Sequence, residues 1–246
     1  MDAPHPLSRD GLPPPPPGPP MEEHFTGSET LRDLVIGMAD GLTVPFALAA
    51  GLSGAVAANP LIVTAGLAEI AAGCVAMGLG GYLAARTDAE HYMAERRREE
   101  AETHEWAERE RWEVMALLHR FGLRGEPLQE ATASICSDRK RWVDFMMKFE
   151  LDLSEPEAGR AARSAVTIGG AYVVGGMIPL APYILLPETH EALLWSCGLT
   201  GLALLAFGWL KSHATGLPPV KGAVQTLLVG GLAASVAFLI AKWVGG

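Results

Sequence analysis

The chain has 246 residues, enough for one or two domains, and its net charge of −9 argues against a nucleic-acid partner and for an acidic surface that attracts cations. Residues of hydrophobic type make up 49% and charged ones 19%, so apolar and charged stretches must lie apart along the chain. Cys74, Cys136 and Cys197 are widely spaced and form no CxxC pair, which excludes a disulfide framework or a structural zinc site.

Residues 1–27 read as a disordered Pro-rich tail. Pro13 to Pro17, Pro19 and Pro20 favour extended polyproline geometry, and the tail lacks the basic and apolar regions of a signal peptide. Five apolar stretches follow that approach the roughly 20 residues needed to cross a ~30 Å hydrocarbon core. They run from about Leu34 to Ala58, Leu61 to Ala85, Ala165 to Leu186, Ala192 to Leu210 and Val220 to Val244. All are rich in Gly and Ala, which allows close backbone approach in lipid; Gly37 and Gly41 form a small-xxx-small pair. Pro45, Pro179 and Pro182 are expected to kink their helices and free carbonyls.

Between the second and third stretches lies a charged segment, residues 86–163, holding most of the 19 Lys and Arg. Arg86 and Arg163 sit at the ends of the neighbouring spans, so the positive-inside rule puts this segment in the cytosol. The turns at Asn59–Pro60 and Pro187–Glu191 carry no Lys or Arg and belong on the other side, whereas Lys211 and Lys221 flank a second cytosolic turn. The N-terminus is then cytosolic and the C-terminus is not. No Gly or Pro interrupts Leu83 to Phe121, which predicts one helix running from the second span to about Leu118. Gly122, Gly125 and Pro127 break it; short helices are expected near Leu128–Ser137 and Arg139–Leu151, and Pro156 ends the insert. The expected fold is all-α: five transmembrane helices plus a three-helix cytosolic bundle inserted between helices 2 and 3. The divisions are 1–27 (tail), 28–88 (helices 1 and 2), 89–160 (cytosolic helical domain) and 161–246 (helices 3 to 5).

Glu95, Glu99, Glu102, Glu110 and Glu113 fall within an arc of roughly 80° on that long helix. Like charges so placed repel unless cations neutralise them, although a charged face paired with Arg and bathed in water has the same pattern. Further on, Met146 and Glu150 share a face at i,i+4, beside Met147, Trp142, Phe145 and Phe149. Carboxylate oxygen suits hard or borderline cations and thioether sulfur softer ones, so together they favour a borderline transition metal. By themselves the two methionines read first as core filling. His91 and His104 read as surface residues.

Two carboxylates lie inside the apolar spans. Asp40 is about two turns into the first and Glu69 near the middle of the second. Ionisable groups are expensive in lipid and usually face a pathway. Met77 follows Glu69 by eight residues, ~12 Å along the helix and about 80° around it, so both can line one groove. Antiparallel spans put Asp40 and Met77 at similar depth near the cytosolic side, with Glu69 deeper. A buried Glu can exchange a proton for a cation, or can act as a protonated hydrogen-bond link between helices.

At these residues the sequence resembles the vacuolar iron transporter family. The resemblance rests on LRDLVIGMADGLTVPFALAAGLSGA from Leu31, LAEIAAGCVAMGLGGYLAARTDAEHY from Leu67, DFMMKFELDLSEP from Asp144 and GGMIPLAPY from Gly175. It implies a homodimer with a pathway at its two-fold interface, lined largely by the first helices, and proton-coupled export of ferrous iron from the cytosol into a vacuole. By position it implies Asp40, Glu69 and Met77 as pathway residues. It likewise implies Glu99, Glu102, Glu110, Glu113, Met146, Met147 and Glu150 as metal ligands of the insert. No permanent cofactor is expected: the partners are membrane lipid, protons and the transported ferrous iron, with other divalent transition metals admissible at the insert.

Three other readings compete. A membrane-anchored di-iron protein takes ligands from several bundle helices with Glu-x-x-His repeats; here one helix supplies most carboxylates and that repeat is missing from the stripe. A non-transporting metal sensor leaves the acids inside two spans unexplained. A manganese transporter of the same fold uses the same ligand types.

Overall fold

A computed structural model describes residues 28–55 and 58–245. The Pro-rich tail lies outside the described residues. The described residues form eight helices: α1 (Ser28–Ala55), α2 (Asn59–Glu105), α3 (Ala107–Arg120), α4 (Gly125–Cys136), α5 (Arg139–Phe149), α6 (Arg160–Leu185), α7 (Thr189–Ala214) and α8 (Pro219–Gly245). No strand occurs among them. Five helices, α1, α2, α6, α7 and α8, are long and apolar enough to cross a membrane, and each overlaps one of the five expected spans.

α6 occupies the centre of the spanning bundle, packed against both α1 and α2 far more extensively than those two touch each other. Small residues make this possible. A methyl group on Gly41 of α1 would strike the Tyr172 backbone, and one on Gly73 of α2 would strike the Tyr172 ring. Backbones so close gain dispersion contacts that larger side chains would prevent. α6 runs parallel to α1, Gly37 facing Ile168 and Gly41 facing Tyr172, and antiparallel to α2, Gly81 facing Ile168 and Gly66 facing Leu180. α7 and α8 complete the bundle, with α8 against α1 and α7. Polar side chains tie the helix ends opposite Arg86: Asn59 Nδ2 donates to the Leu186 carbonyl at 2.6 Å, and Ser53 and Tyr183 share a hydrogen bond of 2.9 Å. Ser196 Oγ of α7 donates to the Pro179 carbonyl of α6 at 2.7 Å.

These directions place Arg86, Arg160, Arg163, Lys211 and Lys221 toward one end of the bundle. At the same end α2 continues past its apolar part and carries α3, α4 and α5. Their core has two small apolar clusters. Val114, Leu117, Trp142 and Met146 form one; Tyr92, Val143 and Met147 form the other and fasten α5 to α2. Arg96 of α2 reinforces that seam, its Nη1 lying 2.8 Å from Asp144 Oδ1.

One expectation is corrected. The helix from the second span does not run unbroken to Leu118; it ends at Glu105, and Trp106 leaves helical geometry at φ −125°, ψ 34° before α3 begins. The Trp106 carbonyl starts α3 by accepting from the amides of Arg109 and Glu110, at 2.9 and 3.1 Å. Tertiary burial accounts for the bend, since α3 must turn to set Val114 and Leu117 against Trp142 and Met146.

Candidate metal cleft and membrane carboxylates

The bend has a chemical consequence. On a straight helix Glu99 and Glu110 would stand ~16 Å apart along the axis. Instead Glu99 and Glu102 from α2, Glu110 and Glu113 from α3 and Glu150 after α5 line a single cleft of about 300 Å³, together with Arg98, Trp106 and Arg109. Glu99 and Glu110 are buried, 3% and 4% exposed, and the Oε2 atom of each has no hydrogen-bond partner. Burial pushes both carboxyls up to about 7. Glu99 is raised further by the charges of Glu150 and Glu102, and Glu110 by those of Glu113 and Glu99. Glu150 is raised by desolvation of its carboxyl and by Glu113 and Glu102. Five mutually repelling acids, two of them hidden from water, share the cleft with only two guanidinium groups, so its negative charge is only partly offset.

The two halves of the cleft repeat a pattern: Arg98-Glu99-x-x-Glu102 on α2 and Arg109-Glu110-x-x-Glu113 on α3. In each, the first Glu is buried and the second faces the preceding Arg. Glu95 is outside the cleft, within 3.9 Å of His91 and 2.7 Å of Arg98. His104 is exposed. Met146 and Met147 are also outside it; both are almost wholly buried, one in each apolar cluster of the insert. Among the described residues, no three His, Cys, Asp or Glu side chains stand close enough to hold one metal ion as they are. Three carboxylates of the cleft could share one cation only after side-chain movement.

Within the spans, Asp40, Glu69 and Met77 are each half-buried. They flank the central helix, Asp40 from α1 and the other two from α2. Asp40 falls beside the Gly41–Tyr172 crossing, Met77 beside the Gly78–Ala165 crossing, and Glu69 beside Ile70, which meets Gly176. Along α6, Met77 and Asp40 thus lie nearer the Arg86 end and Glu69 farther from it. Tyr172 of α6 donates its hydroxyl to Glu69 Oε1, while Glu69 Oε2 is buried without a partner. Nothing in the local sequence singles out Tyr172; only Gly73, which faces its ring, hints at a side chain that needs room.

A second polar link also escapes sequence reasoning. Asp33 of α1, 2% exposed, receives a two-pronged bond from Arg160 of α6 (Nη1 to Oδ2 2.6 Å, Nη2 to Oδ1 3.1 Å), and Glu29 takes the third guanidinium donor. Such a fork satisfies both charges geometrically and locks the starts of α1 and α6 together.

Fold and site together define a multi-pass helical membrane protein whose second span extends into a carboxylate-lined cleft. The VIT family model matches residues 31–242, and the chain belongs to that family. It is 51% identical to vacuolar iron transporter 2 of Oryza sativa subsp. japonica and 48% identical to vacuolar iron transporter 1 of Tulipa gesneriana, each over 90% of both chains. It is 47% identical to vacuolar iron transporter 1 of Arabidopsis thaliana, over 90% of this chain and 88% of that one.

Proposed function

We infer that this protein carries ferrous iron from the cytosol into the vacuole in exchange for protons. The observation that carries this reading is the five-carboxylate cleft with two buried, unpartnered oxygens, on a chain whose relatives are named vacuolar iron transporters. The insert faces the cytosol, where Glu99, Glu102, Glu110, Glu113 and Glu150 collect the cation. Met146 and Met147 supply softer donors after a side-chain rotation out of their apolar clusters. The ion then passes to Asp40 and Met77 of two subunits of a homodimer, and onward to Glu69. Protons entering from the acidic compartment neutralise Glu69 and Asp40 and release the metal there, because a carboxyl cannot hold a proton and a cation in the same place.

Manganese is a second cargo that the same donor types accept. The test is metal uptake into proteoliposomes with an acidic lumen, iron and manganese competing. Uptake of iron that stops when an ionophore collapses the pH gradient supports the reading. Uptake indifferent to the gradient removes proton exchange from it, and preferential uptake of manganese reassigns the cargo.

A further inference from the structure

The cleft already contains cations of its own. Arg98 and Arg109 line it beside the carboxylates. Arg98 Nε is 3.8 Å from Glu102 Oε1, and Arg109 Nε is 3.2 Å from Glu113 Oε1. Both are i,i+4 contacts with the Arg on the N-terminal side, the weaker of the two orders on a helix. Both guanidinium side chains are more than half exposed, so each can swing into water without disturbing the core. Arg98 also has somewhere to go. Its Nη2 lies 2.7 Å from Glu95 Oε2, outside the cleft, and that contact is tighter than its hold on Glu102.

We propose that Arg98 and Arg109 are tethered counter-cations that occupy Glu102 and Glu113 in the metal-free cleft and are displaced when a divalent cation enters. This rests on the carboxylate cleft being the metal site. Two guanidinium charges leave as one divalent ion arrives, so the charge of the cleft is the same before and after. Displacement has two effects. It lowers net affinity, because the metal must compete with a resident partner, and it supplies a partner that recaptures the carboxylates as the ion departs. A collecting site that must hand its ion onward benefits from both. That no ready-made set of three ligands occurs among the described residues fits a cleft resting on its own arginines.

The proposal is tested on the detergent-solubilised full chain by calorimetric titration with Co²⁺, an air-stable stand-in for ferrous iron. Arg98→Gln/Arg109→Gln removes the two counter-cations. Arg97→Gln/Arg111→Gln removes the same charge from α2 and α3 at positions that do not line the cleft. The expected result is that the first pair tightens Co²⁺ binding roughly three- to tenfold at unchanged stoichiometry, the range for two displaced helix-surface ion pairs, and the second by less than about twofold. Equal tightening by both pairs would mean that only bulk charge matters and would overturn the proposal, as would unchanged or weaker binding in Arg98→Gln/Arg109→Gln. Glu102→Gln/Glu113→Gln separates the two levels of the argument. Loss of Co²⁺ binding in that variant keeps the cleft as the site whatever the arginines do; binding that persists in it removes the cleft and the proposal together.

Discussion

Tyr172 on α6 donates its hydroxyl to Glu69 on α2, so the central helix of the bundle grips the acid that lies farther from the Arg86 end along the expected route. The ring rests where a side chain on Gly73 would stand, and the Tyr172 backbone presses on Gly41 of α1. One tyrosine thereby connects the two helices that carry Asp40, Glu69 and Met77.

Tyr172→Phe keeps the ring and removes the bond, leaving Glu69 Oε1 without its partner in an apolar setting. An unsatisfied buried acceptor costs ~1–3 kcal/mol. Thermal unfolding of the purified protein in detergent should show a midpoint lowered by a few degrees. A midpoint equal to wild type would mean that water replaces the hydroxyl at Glu69.

The raised carboxyls of the cleft set a pH dependence whose direction is fixed. Glu99 and Glu110 titrate near 7 in the folded protein against an ordinary value of 4.5, so between those values the folded state binds more protons than the unfolded state. Their contribution to stability is full below 4.5 and is lost as pH rises through about 7. Metal-free protein should therefore melt at a lower temperature at pH 8 than at pH 5.5 relative to Glu99→Gln/Glu110→Gln, in which that difference is reduced. Added Co²⁺ should restore the wild-type midpoint at pH 8 and do little at pH 5.5, where the metal must expel protons.

The part played by the methionines is separable from their packing. Met146→Leu/Met147→Leu nearly conserves volume, and such exchanges usually cost less than about 1.5 kcal/mol each. The variant should fold with a midpoint close to wild type. If the thioethers reach the metal, its preference for Co²⁺ over Mn²⁺ in the calorimeter falls several-fold. An unchanged preference would confine both residues to the core of the insert.

The five spans were legible because the bilayer imposes a length on apolar helices, and among the described residues no other helix satisfies it. Four of the five cleft carboxylates were legible as a stripe, since their spacing repeats with the helix; Glu150 comes from the end of α5, and Glu95 of the stripe stays outside. Their convergence was not. The bend at Trp106 has no Gly or Pro to announce it; it follows from the burial of Val114 and Leu117 against Trp142 and Met146, contacts that depend on α5 being in place. The union of Asp33 with Arg160 joins residues 127 positions apart, and no local pattern reveals which basic residue a buried acid will find. Tyr172 was invisible for the opposite reason: a tyrosine in an apolar helix is ordinary, and only the position of α6 between α1 and α2 gives its hydroxyl an acid to meet.

In the proposed function the acids of the first two spans form a cation route. Asp40→Ala and Glu69→Ala, reconstituted at matched amounts into vesicles with an acidic lumen, test it by ferrous iron uptake under anaerobic conditions. Both variants should lose uptake while remaining folded, as judged by wild-type elution from a sizing column. Uptake by Asp40→Ala at the wild-type rate would contradict that route.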